Sequence, residues 1–365
     1  MFSSRFVITN KILENVVDLE KSALVVNLAP IQPDWEIKLR NECLSRRAST
    51  VLRYAGNQLS YDDVVKIICD EPGRDDKPNQ VALRSGVVAK EREVQSAINW
   101  FNTNKLVEQT AYLTNKFKQN FEEKDLEAIN SLLGERMVTA KELGKYREDE
   151  TTELTEIKSP PAIEVPYQME DLFSWFKGIR KTEMHPLFVA GTILLEMVRI
   201  RPFEENNLMT GLFFFDLILA SSDIGLKGMV AYEEEILKNK QKFEEIVTST
   251  ADGGDLSGWF EFLTKAAAEA GEKAKIKVMN LVGQGPIFKS EVGKAISLTE
   301  RQISIMEEMT IQNEMTIKEI RAILPAVSDD TILRDLKDLM MKKLIKKKGK
   351  TKGAVYVLGK VKGFK

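Results

Sequence analysis

The chain has 365 residues, of which 43% are hydrophobic and 30% are charged, proportions typical of globular protein with two or three domains. They exclude a chain that is disordered throughout. The most apolar stretch, residues 209–220, is too short to span a bilayer and contains Asp216. No signal-peptide pattern opens the sequence either, so we expect a cytoplasmic protein without a membrane partner.

Charge is distributed unevenly along the chain. Residues 328–365 hold 12 Lys and Arg against 4 Asp and Glu, a net charge of +8, which leaves −10 for the preceding 327 residues. This asymmetry predicts that only the C-terminal part meets a polyanion. The two cysteines, Cys43 and Cys69, have no metal-type spacing and no nearby His, so we expect neither a metal site nor a disulfide framework.

The spacing of apolar residues predicts a mainly helical chain. Helices are expected at 35–54 and 88–116, with a surface loop rich in Asp, Gly and Pro at 70–79 between them. A proline-containing irregular segment is expected at 144–166. Further helices are predicted at 167–178, 186–200, 210–221, 232–250 and 256–273. The helices at 186–200 and 210–221 are apolar nearly all round, which indicates that they form the centre of a bundle.

After Ser297 the segments with periodic apolar residues become shorter. They predict helices at 298–309, 316–324 and 328–341, followed by strands at 344–347 and 354–358. The strands flank the basic, glycine-containing stretch 348–353, which is typical of a β-hairpin tip. Three helices followed by a basic hairpin are the order of a winged helix, whose third helix can enter the major groove while the wing touches the DNA backbone.

Residues 185–219 read HPLFVAGTILLEMVRIRPFEENNLMTGLFFFDLIL, and this stretch resembles the Fic family. In that family a helix beginning HPL leads to a loop of pattern HPFxDGNGRxxR and then to a second apolar helix. The resemblance extends to GKYR at 144–147, MEDL at 169–172 and GDLSGWFEFL at 254–263. LTERQ at 298–302 and TILRDL at 331–336 resemble the winged-helix module that many Fic proteins carry.

The resemblance implies a mainly α fold, a Fic-type helical bundle followed by a C-terminal winged helix-turn-helix with three helices and a β-hairpin wing. We place an N-terminal Fic-associated helical region at 1–130, a degenerate Fic core at 131–275, a linker at 276–297 and the winged-helix domain at 298–365.

The loop departs from the family pattern where the family's chemistry occurs. The family transfers AMP from ATP to a protein hydroxyl, with the motif His as general base, and Arg201 stands at that position. A guanidinium stays protonated in proteins and cannot take a proton. Asn206 and Leu208 replace the two glycines of the anion-binding nest. The two arginines that clamp phosphates correspond to Met209 and Leu212.

Some positions of the motif are retained. Glu205 stands where an acidic metal-binding residue would be, and Asn207 matches the family Asn, so these two are the candidate nucleotide or metal contacts. Carboxylates that solvate a helix N-terminus are the alternative for Glu205. His185, the sole histidine, matches the family's helix-starting His rather than its base, which indicates a structural role. The family's inhibitory glutamate is also missing, since Ala55 occupies its place.

The leading hypothesis is a catalytically inactive Fic-fold protein that regulates transcription by binding DNA, with no cofactor expected. Thr331, Arg334 and Lys337 are then the candidate groove contacts, and the wing lysines Lys346, Lys348, Lys350 and Lys352 are the candidate phosphate contacts. One alternative is a divergent nucleotidyltransferase that uses ATP and Mg with Glu204 or Glu205 and Arg201. The other is a protein scaffold whose former active-site groove binds a peptide strand along the segment before Pro166. In the leading hypothesis the degenerate Fic domain supplies recognition of a protein partner or homodimerisation.

Overall fold

The computed structural model describes residues 4–117, 121–150, 159–179, 184–284, 288–289, 295–296, 298–312, 314–324, 327–349 and 354–359. The chain divides into two compact units, Met1–Val278 and Met279–Lys365, and each is described by itself. The described part is mainly helical, as predicted. No described helix combines the length and the low charge that crossing a bilayer requires.

The first unit is a bundle of helices. The helices are α1 (Asn10–Leu28), α2 (Pro33–Tyr54), α3 (Tyr61–Cys69), α4 (Pro78–Ser85), α5 (Glu91–Phe117), α6 (Glu123–Gly134), α7 (Val165–Gly178), α8 (Pro186–Ile200), α9 (Asn207–Ala220), α10 (Tyr232–Ile236), α11 (Lys240–Gly253) and α12 (Ser257–Gln284), and the last of these crosses the division between the units.

The antiparallel pair α8 and α9 forms the centre of this bundle. Nearly every residue of both helices is buried, including Phe213, Phe214 and Phe215 on three successive positions of α9. Three successive helical positions point in three directions, so α9 is covered on all sides, with α8, α5 and α6 among its neighbours. The prediction that these two helices are central is confirmed.

Several predicted boundaries differ from the structure for local reasons. α8 begins and ends where the periodicity places it. α7 starts before Pro166 rather than after it, because a proline in the first turn gives up no helical hydrogen bond. The single helix predicted at 232–250 is two helices. They are separated at residues 237–239, where the Asn239 side chain accepts from the Lys242 N–H and starts α11.

Close approach between α8 and α12 depends on a glycine. The Trp259 indole donates to the Gly191 carbonyl oxygen at 3.0 Å, and a Cβ added to Gly191 would lie 2.2 Å from Leu263 Cδ2 and 3.1 Å from Phe260 Cε1. Both neighbours are fully buried. Position 191 therefore requires a residue without a side chain.

The second unit contains α13 (Glu300–Gln312), β3 (Glu314–Thr316), α14 (Ile317–Ile323), α15 (Asp329–Met341), β4 (Ile345–Lys348) and β5 (Val355–Leu358), after a short strand pair of β1 (Phe288–Lys289) and β2 (Ala295–Ile296). The larger sheet has the order β3-β5-β4 and is antiparallel, with Met315 opposite Tyr356 and Lys346 opposite Val357. β3 is absent from the sequence prediction, which placed residue 316 at the start of a helix.

One apolar cluster holds the helices and the sheet of the second unit together. Ile305, Met306, Ile320, Leu336 and Tyr356 are among its buried members. A polar contact joins α13 to α15 at its edge, where Arg301 Nε donates to Asp335 Oδ2 at 2.8 Å and Gln302 Nε2 donates to Asp338 Oδ2 at 2.7 Å. Hydrogen bonds from Lys342, the largest cause, and from Gln302 hold the pKa of the Asp338 carboxyl below its usual range. The hairpin tip 350–353 lies outside the described residues.

We expect Gly191→Ala to destabilise the first unit by about 1–3 kcal/mol, because the new methyl overpacks a fully buried contact. Gly178→Ala is the matched control, since an added Cβ meets nothing within 4 Å there. All four tryptophans lie in the first unit, so urea unfolding followed by tryptophan fluorescence measures the effect. Equal midpoints for the two variants would contradict the packing argument.

Candidate functional site

The loop that resembles the Fic motif connects the two central helices. α8 ends at Arg201, which adopts the left-handed conformation with φ 48°, and α9 is preceded by Asn206 with φ 67°. Asn tolerates this region better than most residues with a Cβ. Asn206 therefore supports the turn at a position where the family has glycine, but its side chain occupies space that a glycine leaves open.

Arg201 is fixed inside the protein, with only 2% of its surface exposed. Its N–H donates to the Met197 carbonyl oxygen at 3.1 Å, and its own carbonyl oxygen accepts from Arg147 Nε at 2.8 Å. A buried guanidinium that remains protonated cannot act as a general base. Arg201 therefore places a permanent cation at the start of the loop.

Arg147, which belongs to the GKYR stretch at 144–147, connects the segment before α7 to this loop through hydrogen bonds. Its guanidinium donates to the carbonyl oxygens of Arg201, Asp149 and Pro160, at 2.8, 2.9 and 2.5 Å, and its N–H donates to the Pro202 carbonyl oxygen at 2.8 Å. The planar guanidinium suits several acceptors in one plane. Arg147 thus holds the backbone of the loop in place.

The Asn207 side chain stabilises the loop through hydrogen bonds to the loop backbone. Its side-chain Oδ1 accepts from the Phe203 N–H at 2.9 Å and its Nδ2 donates to the Phe203 carbonyl oxygen at 2.9 Å. Asn207 is 1% exposed and Phe203 is fully buried. The side chain therefore satisfies two buried backbone groups of the loop, a role that involves no ligand.

Glu205, the candidate metal ligand, is paired with Arg92 at the start of α5. Arg92 Nη2 lies 3.0 Å from Oε1 and 3.1 Å from Oε2 of the carboxylate, and Asn130 Nδ2 donates to the Glu205 carbonyl oxygen at 3.0 Å. Among the described residues, no group of three or more His, Cys, Asp or Glu side chains is placed to hold a metal ion.

Met209 and Leu212, at the positions of the family's two arginines, point into the packed interior. Their exposures are 7% and 2%, since both belong to the helix that is covered on all sides. A cation at either position would be buried, and an unpaired buried charge is strongly unfavourable. The packing of α9 thus favours apolar residues at both positions.

His185 contacts the start of α8 and a side chain of α1. It precedes α8 as the N-cap residue, where Nδ1 accepts from the Leu187 N–H at 3.2 Å. Nε2 lies 2.8 Å from Glu20 Oε1 on α1. Both ring nitrogens therefore have partners that position the start of α8.

A cavity of 530 Å³ lies at the opposite end of α9 and was missed by sequence reasoning. At its wall, the buried Arg47 forms ion pairs with Asp216 of α9 and with Glu233, the latter at 2.8 Å. Arg47 Nη1 also donates to Asn104 Oδ1 at 3.3 Å. The one available signal was an aspartate, Asp216, in the most apolar stretch of the chain.

The candidate DNA contacts of α15 differ in exposure. Arg334 and Lys337 are exposed, whereas Thr331 is half-buried and its hydroxyl lies 2.9 Å from that of Ser328. Leu333, not singled out from the sequence, is 44% exposed beside Arg334. Lys346 and Lys348 of β4 are exposed. Lys350 and Lys352 lie outside the described residues.

We expect Asn207→Ala to destabilise the first unit by about 2–4 kcal/mol, because it leaves a buried N–H and a buried C=O of Phe203 without partners. Glu204→Gln is the control, since that side chain makes no hydrogen bond to a described residue. Urea unfolding followed by tryptophan fluorescence tests the pair, and a neutral Asn207→Ala would show that the loop does not depend on this brace.

The chain is similar to solved Fic structures over most of its length. A Fic family protein from Desulfovibrio desulfuricans G20 is 20% identical, with a TM-score of 0.65, and the match covers 98% of this chain and 99% of that one. A Fic-domain-containing signaling protein from Bacteroides thetaiotaomicron VPI-5482 is 14% identical, with a TM-score of 0.54, covering 75% and 97%. Fic-1 (residues 134–508) from C. elegans is 16% identical, with a TM-score of 0.52, covering 73% of each chain.

A search of curated proteins found no match. The family model described as Fic/DOC family matches residues 120–219, which include α6 to α8, all of α9 except its last residue, and the whole loop between the central helices. Residues 120–219 are therefore a Fic/DOC family domain, and the chain has the fold of solved Fic proteins.

Proposed function

We propose that this chain is a non-catalytic Fic-fold regulator, in which the second unit is a winged helix that binds DNA and the first unit recognises a protein partner or a second copy. The observation that carries the non-catalytic part is the burial of Met209 and Leu212 at the family's phosphate-clamping positions. The observation that supports the DNA-binding part is the exposed basic face of α15 and β4.

AMP transfer needs a base for the target hydroxyl and positive charge for the triphosphate. The residues at these positions are a permanently protonated Arg201 and two buried apolar side chains. Glu205, the candidate metal ligand, is neutralised by Arg92. These residues do not fit ATP and Mg, so we derive no transfer step through them.

The topology of the second unit supports the winged-helix assignment. Its order is α13, β3, α14, α15 and then the hairpin of β4 and β5, and the short β3 pairs with β5 to complete a three-stranded sheet. α15 would be the recognition helix, because it is the third helix and is followed directly by the hairpin.

The exposed face of α15 carries groups that suit DNA. Asp330, Leu333, Arg334 and Lys337 are exposed at helical spacing. Arg and Lys can donate to guanine, and an apolar side chain can contact the thymine methyl group. Asp329 is paired with Arg321 of α14, which reduces the repulsion between phosphate and the start of α15.

A protein contact is the second candidate function for the same face. Leu333 and Met341 are 44% and 69% exposed on α15, and exposed apolar side chains together favour a protein surface over a nucleic acid. DNA binding remains our preferred function because the exposed face continues into the lysines of β4 and the chain's C-terminal part has a net charge of +8.

We expect the protein to show no micromolar affinity for ATP with Mg, and we expect Arg201→His not to restore AMP transfer, because positions 209 and 212 stay apolar and buried. Calorimetric titration measures the first, and self-modification with labelled ATP measures the second. Micromolar binding, or labelling of the single variant, would favour the divergent nucleotidyltransferase instead.

We expect two classes of C-terminal variant to behave differently in DNA binding. Replacing Lys346, Lys348, Lys350 and Lys352 with Gln should weaken binding to all duplexes and reduce the salt dependence by about 0.9 per lost phosphate contact. Arg334→Ala should instead reduce preference among sequences by about 1–3 kcal/mol if a base contact is lost. Mobility shifts with a pool of random duplexes at several salt concentrations separate the two effects.

The control replaces four exposed lysines of the first unit, Lys38, Lys90, Lys242 and Lys265, with Gln. This change removes the same charge and should leave the salt dependence unaltered. Absence of binding by the full chain at low salt would contradict the DNA-binding proposal and favour the scaffold.

A further inference from the structure

The 530 Å³ cavity lies in the first unit, away from the loop that resembles the Fic motif. Its lining includes Asp216, Leu219 and Ala220 of α9, whereas the loop precedes Asn207. At 1.5 Å per residue, Asp216 and Ala220 are about 14 and 20 Å along the helix from that end. The cavity is thus separate from the position at which Fic proteins bind nucleotide, and its volume is in the range of small-molecule sites, roughly 300–1,000 Å³.

One part of the wall is apolar and buried. Val107 and Ala111 of α5 line it together with Leu219, Leu226 and Val230, and all five are at most 6% exposed. Tyr112, which is 63% exposed, contributes an aromatic side chain. This surface fits the hydrocarbon part of a ligand.

Most hydrogen-bond donors in the lining are already used by the protein. Asn27 donates to the Asp223 carbonyl oxygen at 2.7 Å, Asn104 to Glu108 Oε1 at 3.1 Å, and Asn115 to the Ala220 carbonyl oxygen at 3.4 Å. The Arg47 guanidinium is occupied by Glu233, Asn104 and Asp216. The Tyr112 hydroxyl, Lys227 and Arg40 remain, all on exposed residues of the lining, and Arg40 lies 3.7 Å from Glu108.

Carboxylates outnumber cations around the cavity. The carboxylates of Glu36 and Asp223 have no side-chain partner among the described residues, and Asp216 shares its one cation, Arg47, with Glu233. Four carboxylates line the cavity, namely Glu36, Glu108, Asp216 and Asp223, and Glu233 lies directly behind Arg47. Three cations face these five anions: Arg47, Arg40 at 3.7 Å from Glu108, and Lys227. The lining therefore carries a net charge of −1, and the lining together with Glu233 carries −2.

We propose that this cavity binds a small organic cation, with an ammonium or guanidinium group directed to the carboxylates and a hydrocarbon body against the wall of α5 and α9. An anionic ligand would meet the net negative charge of the lining, and a neutral ligand would form no ion pair with the free carboxylates of Glu36 and Asp223. The site is independent of both DNA binding and AMP transfer.

The experiment uses three six-carbon probes that differ only in their polar group: hexylammonium, hexan-1-ol and hexanoate. Each is titrated into the full-length protein at 150 mM salt, where interactions between distant surface charges are screened. Binding is followed by protein-observed NMR or calorimetry. We expect hexylammonium to bind at least tenfold more tightly than hexan-1-ol, and hexanoate to bind more weakly than either.

Two variants locate the binding. Glu36→Gln with Asp223→Asn should lower the preference for ammonium over alcohol several-fold, whereas removal of two exposed carboxylates elsewhere, Asp62→Asn with Glu91→Gln, should not. Ala220→Trp narrows the cavity at an exposed lining residue and should reduce binding of all probes at least tenfold. Ala55→Trp is its control, since Ala55 is exposed and does not line the cavity.

The proposal is overturned if none of the probes binds, if the alcohol or the carboxylate binds as tightly as the ammonium, or if Ala220→Trp leaves binding unchanged. Circular dichroism of each variant confirms that it is folded. These outcomes do not depend on whether the protein binds DNA, so the two proposals fail or succeed separately.

Discussion

The burial of α9 on all sides is the constraint on which most of the first unit depends. Side chains of α9 face α8, α5 and α6. Packing against neighbours on every side therefore requires apolar residues all round the helix. Phe213, Phe214 and Phe215 fill three directions at once. The same constraint explains the short distance between α8 and α9, since a Cβ at Gly211 would lie 3.0 Å from Met197 Cβ.

This constraint also accounts for the apolar residues in the first turns of α9, directly after the loop. Position 209 and position 212 are one turn apart on a covered surface, and both are apolar here. The bundle does bury arginines, namely Arg47, Arg147 and Arg201. Arg47 has two carboxylates and a side-chain amide within contact distance. Near the loop, the acidic Glu205 is already paired with Arg92. A phosphate clamp would therefore need changes to the core as well as to the loop.

The sequence predicts the central helices well because their pattern is strong and local. α8 and α9 are long apolar runs, and α8 is bounded by a Pro start and the Arg201–Pro202 stop. It does not predict α1, α3, α4 or α6. α4 is only eight residues long and buries only Val81, so it has little periodicity, and its Pro78 was assigned to the preceding loop. β3 has three residues and exists because it pairs with β5.

The side-chain contacts of the site that the sequence did not predict all join residues that are distant in the chain. Arg92 and Glu205, Arg147 and the carbonyl of Arg201, and Arg47 and Asp216 are each far apart in the chain, and no local pattern pairs them. What the sequence did provide was the type of each residue. The non-catalytic proposal rests on the side chains of Arg201, Met209 and Leu212, while the three-dimensional contacts show what these residues do in the folded chain.

The partition of charge connects the two proposals. The first 327 residues carry −10 and the last 38 carry +8, so a polyanion is attracted to the C-terminal part and repelled by the rest of the chain. In that negative field a cavity with excess carboxylates has the same sign as its surroundings, which raises the local concentration of small cations. DNA is a polyanion and the inferred ligand is a cation, so neither competes electrostatically for the other's site. This charge distribution would keep the two proposed binding events chemically distinct.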